Sequence, residues 1–237
     1  MRSLYPILSA RCGVLHTVRA LVAIPALLLF MAAPAQAVVK MDPLKPCYVS
    51  DGELPSQRER IDVHATGFAP LAALTLQIDG TTEATGKSGA FGEVTASVSA
   101  PFEELNEHEF TLLLIEDQNF NNFATATARV TNLAVKLRPR RAQPSRRVRF
   151  SGRGFTAAAP VYGHYLFGGK LRKTVRFVAN SHLPCGTFHA RGRQIPVKHP
   201  SVGQWTLQVD QQKQYSPQPA TNAQRVIIRV RQSFKQP

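Results

Sequence analysis

The strongest constraint on the fold is an internal repeat in the chain that follows residue 37. Segment 55–68 (PSQRERIDVHATGF) parallels segment 144–155 (PSRRVRFSGRGF), and both copies end on a Gly-Phe pair. Apolar residues then fall at the same distance after each pair, and these matches are Leu74 with Val161 and Ile78 with Tyr165. A period of roughly 90 residues is typical of tandem sandwich domains of about 100 residues each.

Within each copy the hydrophobic residues alternate with a period of two, as they do in β-strands that have one buried face. Ile61 and Val63, for example, flank the polar Asp62. Glycines punctuate these runs as turns, and no stretch shows the 3.6-residue stripe of an amphipathic helix. The sequence therefore predicts an all-β protein with two tandem immunoglobulin-like antiparallel β-sandwich domains, residues 38–133 and 134–237.

The Gly-Phe pair also carries a resemblance to known proteins. A strand, then Gly-Phe, then a short apolar stretch and a second strand recurs in secreted immunoglobulin-like domains of bacteria. Here the arrangement stands as segment 63–74 (VHATGFAPLAAL) and as segment 150–161 (FSGRGFTAAAPV). In this respect the chain resembles the IPT/TIG-type repeats and the neocarzinostatin-like sandwiches, which implies a β-sandwich suited to adhesion, ligand carriage or spacer roles. Neocarzinostatin-like carriers typically hold two internal disulfides, and this chain lacks the cysteines for them.

Residues 1–37 have the three parts of a secretory signal peptide. Three arginines and no acidic residue precede or flank the apolar run 20–33 (ALVAIPALLLFMAA), and 35–37 (AQA) is a small-x-small cleavage site. The run is shorter than the roughly 20 residues that span a bilayer, and Pro25 interrupts it, which favours cleavage near Ala37 over a retained anchor. We therefore expect a mature chain that is secreted or held in the cell envelope, without a membrane span.

Charge is divided unequally between the two predicted domains. Residues 38–133 contain 6 Lys or Arg and 14 Asp or Glu, a net charge of −8. Residues 134–237 contain 20 Lys or Arg and a single carboxylate, Asp210, a net charge of +19. Such a density of positive charge repels itself unless an anion lies nearby, so the second domain favours an anionic partner.

Strand parity separates the side chains of the basic domain into two faces. Val148 and Phe150 alternate with Arg147 and Arg149, so we expect these arginines to point outward. Most of the cations are Arg, which binds phosphate and carboxylate groups bidentately. The same reasoning over the other strands predicts an outward-facing anion-binding surface of these residues: Lys136, Arg138, Arg140, Arg147, Arg149, Arg172, Arg176, Arg191, Arg193, Arg229 and Arg231.

Two cysteines remain in the predicted mature chain, Cys47 and Cys185. Export permits a disulfide between them, but two free, half-buried thiols are equally compatible with the sequence, since it does not fix the distance between their Cα atoms. His182, Cys185 and His189 have a spacing, H-x2-C-x3-H, that could bind zinc. No paired CxxC accompanies it, so a turn flanked by solvent-facing histidines is favoured, and we expect no metal and no other cofactor.

These observations predict a secreted binding protein whose basic sandwich holds an anionic polymer of the envelope or the exterior. The alternative is a structural protein in which acidic and basic domains of different copies associate. An enzyme or metal protein that uses the loop with His182, Cys185 and His189 is a weaker alternative. Because the chain has no Gly-x-Ser-x-Gly elbow or other local signature of nucleophilic catalysis, we expect no enzymatic activity. The expected partners are an anionic polymer or an acidic protein surface, including that of another copy, with nucleic acid bound only incidentally.

Overall fold

Strands make up almost all of the regular structure in the computed structural model, which describes residues 38–231. The signal peptide predicted over 1–37 lies outside the described residues. Within them, the helical structure is limited to one 3-10 turn, Pro55–Gln57, and no helix is long and apolar enough to cross a membrane. The prediction of an all-β protein is confirmed.

The first eight strands form two sheets that face each other across a core. Alternate residues of both sheets fill it, among them Ile61, Val63, Phe110 and Leu112, as the period of two predicts. One sheet has the order β1-β3-β6, and the other has the order β2-β8-β7-β4-β5, with β2 parallel to β8 and the remaining pairs antiparallel. The strands are β1 (Lys40–Met41), β2 (Cys47–Ser50), β3 (Arg60–Thr66), β4 (Ala73–Ile78), β5 (Thr81–Lys87), β6 (Val94–Ser99), β7 (Glu107–Glu116) and β8 (Asn119–Asn132).

The last seven strands repeat this arrangement around a second core. Their sheets have the orders β9-β10-β13 and β15-β14-β11-β12, and all pairs are antiparallel. The first set contains the same two arrays, β1-β3-β6 and β8-β7-β4-β5, so the repeat in the sequence corresponds to a repeat in strand order. The strands are β9 (Ala134–Arg138), β10 (Arg147–Arg153), β11 (Val161–Phe167), β12 (Lys170–Val178), β13 (Phe188–Arg193), β14 (Gly203–Asp210) and β15 (Gln224–Val230).

The repeated Gly-Phe pair occupies the turn that follows β3 and the turn that follows β10. Gly67 and Gly154 have φ angles of 95° and 88°, a left-handed conformation that glycine adopts without the clash a side chain would meet. The next residues, Phe68 and Phe155, are buried in their respective cores. The motif is therefore a tight turn that places an aromatic side chain at the end of each core.

The two cores belong to one compact unit and are joined covalently. Cys47, the first residue of β2, forms a disulfide with Cys185, which lies between β12 and β13, and their Cα atoms are 5.2 Å apart. Both cysteines are buried, which answers the question that the sequence left open. Val49 of β2 packs into the second core, and Lys45 Nζ donates a hydrogen bond to Thr156 Oγ1 at 3.2 Å. The division into domains at residue 133 stays a prediction, because β2 contributes to both cores.

Candidate anion-binding surface

Arginines face one another on the outer side of the β9-β10-β13 sheet. The register places Arg149 of β10 between Arg138 of β9 and Arg191 of β13, and Arg147 opposite Arg193. All five side chains are exposed, while the alternate residues of β10 are buried in the core. Like charges directly opposite each other destabilise a sheet, and an anion bound across the row would relieve that repulsion.

The structure divides the eleven predicted residues, all of which are exposed, into three groups. The first covers the outer face of the β9-β10-β13 sheet: Lys136, Arg138, Arg147, Arg149, Arg191 and Arg193. The second lies on β12, an edge strand of the four-stranded sheet: Arg172 and Arg176. The third lines a cavity beside β15: Arg140, Arg229 and Arg231.

This cavity, which we call the basic cavity, has a volume of about 970 Å³ and lies between the β9–β10 connection, segment 197–200 and the end of β15. Its apolar wall includes Val197 and Ile227, and none of the described residues that line it is acidic. A volume of this size falls within the range of about 300–1,000 Å³ that is usual for ligand sites. Such a cavity fits a ligand that combines several anionic groups with apolar surface. Six cations line it: Arg140, Arg141, Arg193, Lys198, Arg229 and Arg231.

Strand parity did not identify two of these cations, Arg141 and Lys198. Both lie in connections, between β9 and β10 and between β13 and β14, where no alternation assigns a direction to a side chain. The cluster of arginines at 138–141 was the available signal, because three cations within four residues at the end of β9 crowd one place on the surface. Arg193 belongs to both the sheet face and the cavity, so the two regions adjoin each other.

The carboxylate of Asp210 is withdrawn from this surface. Asp210 is 0 % exposed at the end of β14. It accepts hydrogen bonds from His164 Nε2 at 3.2 Å, from Gln208 Nε2 at 2.9 Å and from the backbone N–H of Gln212 at 2.8 Å. Burial alone would raise the pKa of Asp210, but these hydrogen bonds outweigh it and lower the pKa below its ordinary value. Residues 134–231 consequently present cations and no acidic side chain to the solvent.

The exposed cations also have no acidic partner from elsewhere in the part of the chain that the structure describes. Here no Lys or Arg between residues 134 and 231 has a carboxylate oxygen within 4.0 Å. Among the described residues, the ion pairs of lysine and arginine are Lys45–Glu59 at 2.6 Å and Arg129–Glu107 at 3.1 Å, and both lie within residues 38–133. The exposed cations of the basic half therefore form no direct ion pairs among the residues that the structure describes.

The weaker alternative, a zinc site at His182, Cys185 and His189, is wrong with respect to its sulfur ligand. The Cys185 sulfur is bonded to Cys47, so it offers no thiolate to a metal ion. His182 and His189 are exposed, and a backbone bridge between His182 and Thr187 closes the turn around the cysteine. Throughout residues 38–231, no three side chains of His, Cys, Asp or Glu are grouped so that they could hold a metal ion.

Comparison with known proteins gives no family for this chain. No family model matches it, and no curated protein matches it. Among solved structures, red sea bream transglutaminase is similar with a TM-score of 0.28 and 11% identity over 84% of this chain, which spans 32% of the transglutaminase chain. A similarity at this level supports no argument about function. The sheets are consistent with a β-sandwich architecture, while the resemblance to IPT/TIG-type and neocarzinostatin-like sandwiches stays untested.

Proposed function

We propose that this protein is a secreted, non-enzymatic binding protein whose basic half binds an anionic polymer of the cell envelope or the exterior. The observation that carries the proposal is the surface of residues 134–231, where exposed cations have neither an acidic neighbour nor an exposed carboxylate among them. The arginine row on the β9-β10-β13 sheet is its most regular part.

The spacing of this row suits a polymer. Neighbouring strands are about 4.8 Å apart, and alternate residues of one strand are about 7 Å apart. A chain that bears a phosphate, sulfate or carboxylate at intervals of this order would meet a guanidinium at successive repeats. Each contact is weak by itself because it is exposed, at about 1 kcal/mol or less, so affinity would come from the number of contacts.

Export and the finer description of the fold form part of the same proposal. The Cys47–Cys185 disulfide is compatible with an oxidising compartment, as the predicted signal peptide requires. The repeated strand order supports two tandem immunoglobulin-like domains, 38–133 and 134–237. Their assignment to the IPT/TIG or neocarzinostatin type rests on the two Gly-Phe segments. Such folds commonly present a binding surface without catalysis, so the role rests on the surface and not on the fold.

The proposal is tested by equilibrium binding of the mature chain, residues 38–237, to dextran sulfate, polyphosphate, polygalacturonate and neutral dextran over a series of salt concentrations. We expect binding to the three polyanions, with log affinity falling linearly in log salt because bound counterions are released, and no binding to neutral dextran. A flat salt dependence would instead indicate a shaped pocket for a small ligand and would contradict the proposal.

Two variants of equal charge locate the binding surface. Replacing Arg147, Arg149, Arg229 and Arg231 together by Gln should reduce both the affinity and the salt slope. The matched control replaces four cations of the first set of strands by Gln, namely Lys40, Arg60, Lys87 and Arg129. The control should bind like the wild type, and an equal loss in both variants would show that net charge matters and the basic surface does not.

A further inference from the structure

One end of the first set of strands exposes large apolar side chains that its own core does not use. Three segments meet there: the β3–β4 connection 67–72, the β5–β6 connection 88–93 and the β7–β8 hairpin 116–123. We call this region the apolar tip. Its exposed side chains are Leu71, Phe91, Phe120 and Phe123, and Phe91 is 91% exposed.

Hydrogen bonds hold the three segments of the apolar tip together. The N–H of Leu71 donates to the carbonyl oxygen of Gly89 at 3.2 Å, which links the first two segments. The buried carboxylate of Glu116 accepts from Asn122 Nδ2 at 2.6 Å and from the N–H of Ala69 at 3.5 Å, which links the hairpin to the first segment. The apolar side chains are therefore presented by a connected scaffold.

The backbone of the apolar tip is strained at Leu71. This residue has a φ of 57°, a left-handed conformation that costs a residue with a side chain roughly 1–2 kcal/mol. The backbone at Phe91 is held by a local turn, because its N–H donates to the Glu93 carboxylate at 3.0 Å and Gly92 turns the chain with a φ of 76°. Strain that keeps apolar side chains in solvent is typical of sites that bind something.

The apolar tip and the basic cavity are complementary in both charge and polarity. The three segments of the tip carry the exposed carboxylates Glu93 and Asp117, the buried Glu116, and no Lys or Arg. The cavity combines the opposite charge with an apolar wall that includes Ile227, 46% exposed, and Val197. An apolar centre surrounded by charged groups, rich in Phe and Arg, is the usual composition of a protein–protein interface.

We propose that the apolar tip of one copy docks into the basic cavity of a second copy, so that molecules associate head to tail. Docking within one molecule is excluded by distance. β8 runs from Asn119 in the tip to Asn132 beside β9. At about 3.4 Å per residue, the length of this strand separates the tip from the basic half by roughly 45 Å. Because the two surfaces are different, the contact is heterologous and propagates into chains or closes into rings.

This association is separate from the binding of a polymer, although both use the basic cavity. A polyanion in the cavity would displace the tip, so dextran sulfate should dissociate the oligomers. The association should also weaken with salt, since the charged groups around the contact remain partly exposed.

Sedimentation velocity of the mature chain, residues 38–237, tests the proposal with two kinds of variant. The tip variant, Phe91→Ser with Phe120→Ser, removes two exposed apolar side chains. The cavity variant, Arg229→Glu with Arg231→Glu, reverses two charges of the cavity. We expect the wild type to associate with increasing concentration. Each variant alone should associate at least about tenfold more weakly.

The decisive sample is an equimolar mixture of the two variants. The cavity variant retains an intact tip and the tip variant retains an intact cavity. The mixture should therefore form a 1:1 dimer, which cannot grow further because its remaining tip and cavity both carry substitutions. A wild type that stays monomeric at all concentrations would overturn the proposal, and so would a mixture that forms no dimer.

Two further measurements keep the result interpretable. Leu71→Gly removes an apolar side chain from the tip and relieves the backbone strain, so it should fold at least as well as the wild type and still associate more weakly. If Leu71→Gly and the tip variant, measured separately, both associate as strongly as the wild type, the proposal is wrong. The tip variant should bind dextran sulfate at least as tightly as the wild type, because its basic surface is unchanged and no tip competes for the cavity. A failure of self-association therefore leaves the proposed function standing.

Discussion

At the scale of single residues, Glu103 is held in its charged form by hydrogen bonds from several sides. The N–H groups of Asn106 and Leu105 donate to its Oε1 at 2.9 and 2.8 Å, and His108 Nδ1 donates to its Oε2 at 2.5 Å. These contacts, with that from Asn106 the largest, lower the pKa of Glu103 to about 2. In the unfolded chain the pKa of a glutamate is about 4.5, so between that value and about 2 the unfolded chain binds more protons than the folded protein does.

The free energy of unfolding should accordingly fall as the pH falls from about 4.5 to about 2, the window between the two pKa values. Glu103→Gln removes this contribution, so we expect a variant that is less stable at neutral pH and declines less steeply on acidification. Urea denaturation at several pH values measures both quantities. A decline as steep as that of the wild type would show that the Glu103 hydrogen bonds are not the cause.

At the scale of the elements, the arginine row of the β9-β10-β13 sheet should cost stability. Arg149 lies between Arg138 and Arg191, so Arg149→Thr removes a repulsion and adds a residue suited to a strand. We expect this variant to be more stable than the wild type by roughly 0.2–1 kcal/mol in urea denaturation and to bind dextran sulfate less well. A gain in stability with a loss of binding is the result expected of a surface that is kept for binding at the expense of stability.

The matched control is the same substitution on β8. Arg129 forms an ion pair with Glu107 and lies opposite Glu109, so Arg129→Thr removes an attraction. The free energy of unfolding of this variant should be equal to or lower than that of the wild type. Its affinity for dextran sulfate should not change. If both substitutions stabilise the protein equally, strand propensity alone explains the gain and the charge argument is wrong.

The sequence predicted the strands wherever one face is buried, because alternation is then visible. It placed Arg147 and Arg149 outward for this reason, and both are exposed. It gave no direction to Arg141 or Lys198, which lie in connections. The sequence did not predict β2 either, because all four of its residues are buried and show no alternation.

At the scale of the whole molecule, the disulfide joins positions that are 138 residues apart in the sequence. A bond across so long a loop restricts the unfolded chain strongly, and such bonds contribute about 2–4 kcal/mol. Replacing Cys47 and Cys185 together by Ser should lower the free energy of unfolding by this amount in urea. Dithiothreitol should destabilise the wild type and leave the double variant unchanged, and equal stability of the two proteins would contradict the expectation.

Contacts between residues that are far apart in the sequence could not be predicted from it. The pairing of Cys47 with Cys185 and the packing of Val49 into the second core depend on how the sheets are placed, which no local pattern encodes. The same holds for the basic cavity, since it joins two connections and the end of β15. The division of charge, by contrast, is a property of composition and was fully visible. The structure adds that Asp210 is buried, so the exposed surface of the basic half is more uniformly positive than the composition alone implies.

The most direct test of polymer binding is a footprint of the arginines themselves. Phenylglyoxal modification of the mature chain, read by mass spectrometry with and without dextran sulfate, reports which guanidinium groups the polymer covers. We expect protection of Arg147, Arg149, Arg191 and Arg193 and no protection of Arg60, which is exposed on β3. Equal protection of Arg60, or unchanged modification of the arginine row, would contradict this expectation.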